Sequence, residues 1–251
     1  MKAFSLDGKR AVITGGGSGL GFGIAKTFVE AGADVVIIGQ NEQKLIDATA
    51  TLGDKCQYRQ FDITQLDKIP TLVNDIENNI GPIDILINGA GIHLKKNATE
   101  TADAEFLSVL NVHLLSVFSL TREFAKKMIE RKTGSIILVS SMSAVMGMKQ
   151  VVAYSTAKTA VVGMMRSLVA EWATENIRLN TIAPGWIETP MLHKAIDNDE
   201  PRKQKILNRI PTSTFGQPED IGYAALYLSS AAGKYVNGVF LQVDGGAAGA
   251  F

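Results

Sequence analysis

Short apolar runs rich in β-branched residues alternate with longer helical patterns from one end of this chain to the other, and no other feature restricts the fold as much. Residues 10–14 (RAVIT) lead into a helical stretch at 23–32, and residues 34–39 (DVVIIG) into another at 41–53. Further strands are expected at 57–63, 83–90, 135–141, 177–183 and 239–245, making seven in all. Each is nearly continuous in apolar residues, the pattern of a strand covered on both faces. Strand and helix in regular succession imply a parallel sheet with helices on either side, an α/β architecture. Gly32 and Gly53 follow helices where a left-handed cap is wanted, Gly134 closes the stretch 122–134, and Pro218 falls in the first turn of the last helix. With 251 residues, 46% of them hydrophobic, the chain can bury one large core, so 1–251 reads as a single domain. One polar, charged stretch, 186–216, breaks the rhythm before the last helix.

Lys plus Arg balance Asp plus Glu at 25 each. No net field would hold such a protein on nucleic acid or an anionic membrane, and neither is an expected partner. The single cysteine, Cys56, excludes an intrachain disulfide and offers no thiolate cluster to a metal, as expected of a reducing compartment. No uninterrupted apolar segment opens the chain or approaches the roughly 18 residues of a spanning helix, so a soluble, cytoplasmic protein is expected.

The first strand runs directly into Thr14-Gly15-Gly16-Gly17-Ser18-Gly19-Leu20-Gly21 and then into a helix with Ile24, Ala25, Phe28 and Val29 on one side. A glycine-rich turn at that place lets the backbone approach a pyrophosphate and aims free helix-start amides at it. The glycines read TGxxxGxG, carried by Gly15, Gly19 and Gly21; alone, such a cluster is also common in plain loops. Downstream, Tyr154 and Lys158 lie four residues apart in an expected helix, hence one turn apart on one face. A phenol with its ordinary pKa of about 10 is a poor base at neutral pH, and a close cation favours the phenolate. Ser141 precedes Tyr154 by 13 residues at the C-terminal end of the fifth strand, where open α/β sheets place ligands. Ser140 and Ser143 stand beside it, and a serine-rich strand end is also ordinary turn chemistry; the spacing to Tyr154 singles out Ser141.

In this order and spacing the chain resembles the short-chain dehydrogenase/reductase family from Leu6 to Gly246. The matching motifs are TGGGSGLG at 14–21, Asp62-Ile63 after the third strand and Asn88-Gly89-Ala90-Gly91 after the fourth. Ser141, the Tyr154 and Lys158 pair, and Pro184-Gly185 followed by Thr189 complete the set. The resemblance implies a Rossmann doubly wound, seven-stranded parallel sheet. It also implies an NAD(P)-dependent oxidoreductase that interconverts a secondary alcohol and a ketone by hydride transfer. Gly15, Gly17, Ser18, Gly19, Leu20 and Gly21 would border the pyrophosphate, and Asp62 and Ile63 the adenine edge. Asn88, Ala90 and Gly91 would face the adenosine ribose and central sheet, and Pro184, Gly185, Ile187 and Thr189 the nicotinamide and its phosphate. The Ser141 and Tyr154 hydroxyls would hold the carbonyl and Tyr154 would pass the proton, while Lys158 would lower the tyrosine pKa and bind the nicotinamide ribose.

One position departs from the family, whose fourth catalytic residue is usually an asparagine 28 residues before the serine. Here that place holds His113. Asn111 is a false match, because two residues along a helix turn a side chain by about 200°. The family uses the asparagine's main-chain carbonyl to steady a water in a proton relay, and histidine supplies the same carbonyl. The His113 side chain reads equally as a packed helix residue with one nitrogen satisfied or as a relay member. His93, just after NGAGI, falls near the site mouth by family position and His193 falls in the stretch 186–216. Neither has a partner at metal-ligand spacing, so no metal is expected, and His93 reads most simply as a stray polar residue.

The second strand ends in Gly39-Gln40-Asn41, with neither the acid expected for NAD nor the base expected for NADP. Gln40 can bond either form; the missing carboxylate removes repulsion from a 2′-phosphate, so NAD or NADP is expected with a lean to NADP. The family uses the segment corresponding to 186–216 as a lid over the substrate. Its Lys194, Arg202, Lys203, Lys205 and Arg209 outnumber Asp197, Asp199 and Glu200, which suits either an anionic substrate or simply a solvated surface. The opening residues and the unit around 32–45 look most like sugar-acid and polyol dehydrogenases of the gluconate 5-dehydrogenase kind. A 3-oxoacyl-carrier-protein reductase shares every motif and would need a basic surface, for which the helix carrying Arg122, Lys126, Lys127, Arg131 and Lys132 is the candidate. A cofactor-binding regulator without chemistry is the third reading. By family analogy a homo-oligomer, a tetramer, would form through helices at 103–131 and 151–175 and the C-terminal strand.

Overall fold

The computed structural model describes residues 2–197 and 199–249. The expected domain limits, 1 and 251, residue 198 of the 186–216 stretch and residue 250 lie outside the described residues. Seven parallel strands form one sheet in the order β3-β2-β1-β4-β5-β6-β7: β1 Arg10–Thr14, β2 Asp34–Gly39, β3 Cys56–Gln60, β4 Ile85–Asn88, β5 Gly134–Val139, β6 Ile177–Pro184 and β7 Phe240–Val243. The order reverses between β1 and β4, which opens a crevice at their C-terminal ends.

Successive strand residues point to opposite faces, and both faces are covered. Val12, Val36, Ile38, Leu86, Ile136 and Leu138 bury one face against α3 (Ile69–Asn79), α5 (Ser116–Arg131) and α6 (Val152–Trp172). Ala11, Ile13, Val35, Ile37, Ile85 and Ile87 bury the other against α1 (Gly19–Glu30), α2 (Glu42–Leu52) and α9 (Pro218–Ser229). Two-sided coverage is why β1, β2, β4 and β5 read as nearly unbroken apolar runs; the edge strand β3 (CQYRQ) departs from that expectation because most of it is not buried, and the other edge strand, β7, is only partly buried.

α4 (Asp103–Leu110) and α5 are joined by a π-turn, Asn111–Leu115, so 103–131 is one helical run with an interrupted ladder. By length and composition this run could cross a bilayer. Here Val109, Val117, Leu120, Phe124 and Met128 are buried in the protein core. The left-handed cap after α5 falls on Lys132 (φ 52°), two residues before the expected Gly134. Gly134 instead begins β5, where a Cβ would sit 2.5 Å from the Met128 sulfur. Gly32 and Gly53 do take positive φ, and Pro218 opens α9 as expected.

The stretch 186–216 contains α7 (Pro190–Ile196) and α8 (Glu200–Leu207). Its two ends are pinned together: Glu188 N donates to Gly216 O (2.8 Å) and Gly216 N to Trp186 O (3.0 Å). Trp186, Ile206, Ile210 and Phe215 pack with Met142, Met146 and Met148 of the loop after β5, which seats the segment over that strand end.

Candidate active site

All the chemistry-bearing motifs converge on the C-terminal edge of the sheet. Gly15 takes φ +74° as the chain leaves β1, and a Cβ there would lie 2.9 Å from Ala90 Cα, so only glycine allows the turn and the Asn88–Gly91 loop to touch. That loop is locked to β1, since Thr14 Oγ1 accepts from Gly89 N (3.0 Å) and Ala90 N (3.1 Å). Ser18 is the N-cap of α1 but makes no side-chain cap bond. The first-turn amides are thus left for another acceptor. A Cβ on Gly19 would stand 3.5 Å from Thr189 Cγ2, so the glycine turn faces Thr189, the N-cap of α7. Pro184 ends β6, and Gly185 N donates to Val243 O (3.0 Å), with Ile187 buried beside them. Burial pushes the Asp62 carboxyl up, but bonds from Thr64 and Gln40 outweigh it and hold the group below its ordinary range. Asn88 donates to Thr121 Oγ1 (3.0 Å) while its buried Oδ1 has no partner. A narrow backbone cradle, free helix-start amides and an orphaned amide oxygen at the β1/β4 crevice fit a dinucleotide.

Tyr154 and Lys158 share one face of α6, as their spacing requires. Lys158 is 5% exposed; its Nζ donates to Val139 O (2.6 Å) and stands 5.5 Å from the Tyr154 ring centre. Burial lowers its pKa to about 7. Tyr154 lies within reach of the Ser141 hydroxyl, and burial raises its pKa while that bond opposes the rise. The expected depression of the phenol by Lys158 is therefore not found: the Tyr154 pKa is raised. The ammonium is tied to the β5 carbonyl, and desolvation dominates the phenol. The three serines separate cleanly: Ser140 donates to Lys158 O (2.8 Å), Ser143 Oγ is buried without a partner, and Ser141, accepting from Ser143 N (3.1 Å), faces the tyrosine.

His113 sits in the π-turn, 2% exposed, with its ring edge-on to Tyr154 at 5.2 Å, while Asn111 points outward. Its Nε2 meets the Ile92 backbone, N–H at 3.0 Å and carbonyl at 2.7 Å, and its Nδ1 is buried without a partner. Burial first, then Lys158, pushes its pKa down to about 3, so the imidazole is neutral near pH 7. His93 is no stray residue: its ring centre is 5.8 Å from that of Tyr154. Burial, Lys95 and Arg202 of α8 all lower its pKa. Its position just past the NGAG loop was the one local signal for this. His193 of α7 bonds Asp197, the residue that caps that helix (3.0 Å), on the protein surface.

A family model described as enoyl-(acyl carrier protein) reductase matches residues 15–248. The 2-dehydro-3-deoxy-D-gluconate 5-dehydrogenase of Bacillus subtilis is 42% identical over 250 residues, covering 97% of this chain and 96% of that protein. A 3-oxoacyl-[acyl-carrier-protein] reductase of Chlamydia muridarum is 35% identical over 247 residues, 97% of this chain and 98% of its own. The crystal structure of a gluconate 5-dehydrogenase from Burkholderia cenocepacia in complex with NADP and tartrate matches with a TM-score of 0.95 and 33% identity, over 100% of this chain and 99% of that one. The chain belongs to the short-chain dehydrogenase/reductase family, oxidoreductases that act on CH–OH groups.

Proposed function

We propose that this enzyme interconverts a secondary alcohol and a ketone on a small sugar acid, with NADP as its preferred cofactor. The observation that carries the reading is the position of His93 beside Tyr154, with Lys95 and Arg202 near enough to act on its charge. Clustered cations beside a reacting hydroxyl suit a substrate with a carboxylate. The likeness to sugar-acid dehydrogenases, one of them crystallised with NADP and tartrate, supports the same choice.

A nicotinamide cofactor bound here would supply or accept the hydride. Gly15, Gly17, Ser18, Gly19, Leu20 and Gly21 hold the pyrophosphate with backbone amides. Gln40, Asp62 and Ile63 line the adenosine end; Asn88, Ala90 and Gly91 the middle; Pro184, Gly185, Ile187 and Thr189 the nicotinamide end. Ser141 and Tyr154 hydroxyls grip the substrate oxygen, and the protonated phenol, favoured by burial, donates to it in the reductive direction. Lys158, near neutrality in its buried setting, orients the nicotinamide ribose and stabilises the phenolate in the opposite direction. The 186–216 segment closes over the substrate and excludes water.

The carrier-protein alternative is disfavoured by what the basic helix does with its charges. Arg122 and Lys126 both bind Glu123 (2.8 Å each), and Arg131 binds Glu77 (2.6 Å), leaving Lys127 and Lys132 as a thin basic surface. A homo-oligomer and a cytoplasmic setting belong to the proposal. Leu107, Leu115 and Phe118 along one helical run and Val152 on α6 are exposed, which supports a partner copy there. The test follows nicotinamide absorbance with gluconate, 5-ketogluconate, 2-dehydro-3-deoxygluconate, neutral polyols and acetoacetyl thioesters. Turnover is expected on the sugar acids; turnover on the thioesters alone moves the assignment to the carrier-protein reductase, and binding without turnover to a regulator.

A further inference from the structure

Lys44 lies against the glycine turn, a placement that the sequence pattern does not give. β2 ends in Gly39, then Gln40 and Asn41, with no charge at the point where a dinucleotide's adenosine ribose reaches the sheet. Around that point a Cβ on Gly17 would lie 3.4 Å from Leu45 Cδ2 and 3.4 Å from Lys44 Cβ, and a Cβ on Gly39 would lie 3.3 Å from the same Leu45 atom. Two residues without side chains thus let the glycine turn, the end of β2 and the first turn of α2 pack closely together, and the Lys44 side chain starts against the glycine turn. The backbone is fixed there, because Asn41 caps α2 by accepting from Lys44 N (3.0 Å).

The neighbouring charges are committed elsewhere. Arg59 on β3 binds Asp75 (2.7 Å) and Lys55 donates to Gly32 O (2.8 Å). Glu42 faces the Tyr58 hydroxyl (3.4 Å), and Asp62 is taken up by Thr64 (2.7 Å) and by the Gln40 amide. Lys44 has no ion-pair partner among the described residues and is exposed. Building on the dinucleotide reading above, we propose that Lys44 binds the 2′-phosphate of NADP and gives the enzyme its preference over NAD. A flexible, uncommitted ammonium beside the glycine turn contributes only when the extra phosphate is present, so it separates the two cofactors rather than strengthening both.

Calorimetric titration of the wild type, Lys44→Ala and Lys44→Arg with NADP, NAD, 2′,5′-ADP and 5′-AMP tests this. Lys44→Ala is expected to weaken NADP and 2′,5′-ADP by roughly tenfold or more, the scale of one hydrogen bond to a charged group, and to leave NAD and 5′-AMP within about twofold. Lys44→Arg is expected to keep most of the preference, and added salt to shrink it in the wild type but not in Lys44→Ala. An unchanged NADP-to-NAD ratio in Lys44→Ala overturns the inference, as do equal losses for all four ligands, which would mark a role in the α2 cap alone. A wild type that binds none of the four sinks the dinucleotide reading, and this inference with it.

Discussion

The two edges of one sheet treat their polar groups in opposite ways. At the N-terminal edge the Asp84 carboxylate accepts from Arg10 N (3.0 Å) and Lys9 Nζ (2.9 Å), and Glu77 accepts from both terminal nitrogens of Arg131 (2.6 and 3.1 Å) and from Ile83 N (3.1 Å). Arg178 of β6 has its guanidinium against the carbonyls of Leu228, Gly233 and Val236, which close α9 and the turn after it. At the C-terminal edge Lys158 is buried with a single carbonyl for a partner, and His113 Nδ1 and Asn88 Oδ1 are buried with none. Each unmet group costs about 1–3 kcal/mol. Sheet stability alone would not select that arrangement, and perturbed, underpaired groups gathered in a crevice are what a ligand site requires. The paired edge also buries one hydroxyl without a partner, Ser229 at the end of α9, but its charged groups are met, whereas the other edge gathers underpaired groups around one crevice.

The strongest way to break that division is Tyr154→Phe, which removes the proton donor and leaves the ring packed between His93 and His113. Turnover should fall by about 10²–10⁴-fold with dinucleotide affinity and thermal unfolding little changed. Unaltered turnover would sink the catalytic assignment of this edge. Arg131→Met makes the matching change at the paired edge, where it strands a Glu77 side chain that is only 8% exposed. Chemical denaturation should show a loss of about 1–3 kcal/mol while kcat stays the same, and a change in kcat without a stability loss would abolish the contrast.

Lys158 sharpens the comparison through pH. Its ordinary pKa of 10.5 applies to the unfolded chain, and the folded value is about 7. Between those values the unfolded chain holds more of the proton, so stability rises with pH across the window. The Cys56 thiol, pushed up from 9.0 to about 11 by burial, acts in the opposite sense above pH 9. The comparison therefore belongs between pH 7 and 9. There the wild type should gain up to about 1.4 kcal/mol per pH unit relative to Lys158→Met. Parallel stability curves for the two proteins would mean that the ammonium is solvated after all.

The same contrast explains what could be read without coordinates. Strand count and order of motifs follow from patterns local to each segment, so the seven strands, the glycine turn, and the Ser141, Tyr154 and Lys158 group are found where they are expected. Strand ends are different. The fourth strand stops at Asn88 rather than 90 because the next two amides turn to Thr14, 75 residues away in the chain for Gly89. No local pattern carries that interaction. The π-turn under His113, the hold of Lys158 on Val139 and the approach of His93 to Tyr154 are likewise products of packing between distant segments. The incompletely paired edge is thus also the part least visible in sequence, since its bonds are absent or long-range.

His113→Asn probes the least pronounced difference between the edges and should change turnover by less than about tenfold, since the substitution keeps the backbone carbonyl at 113 and shortens the side chain. Its trace appears in acid instead. The imidazole is held from its ordinary 6.5 down to about 3 by burial and by Lys158. Below pH 6.5 the unfolded chain takes up a proton that the folded one refuses, so the wild type loses stability as pH falls through that window, and the variant should lose less. If turnover instead collapses with the fold intact, the unpartnered Nδ1 is a working part of the proton path. The histidine would then belong to the chemistry rather than to the packing around Ile92.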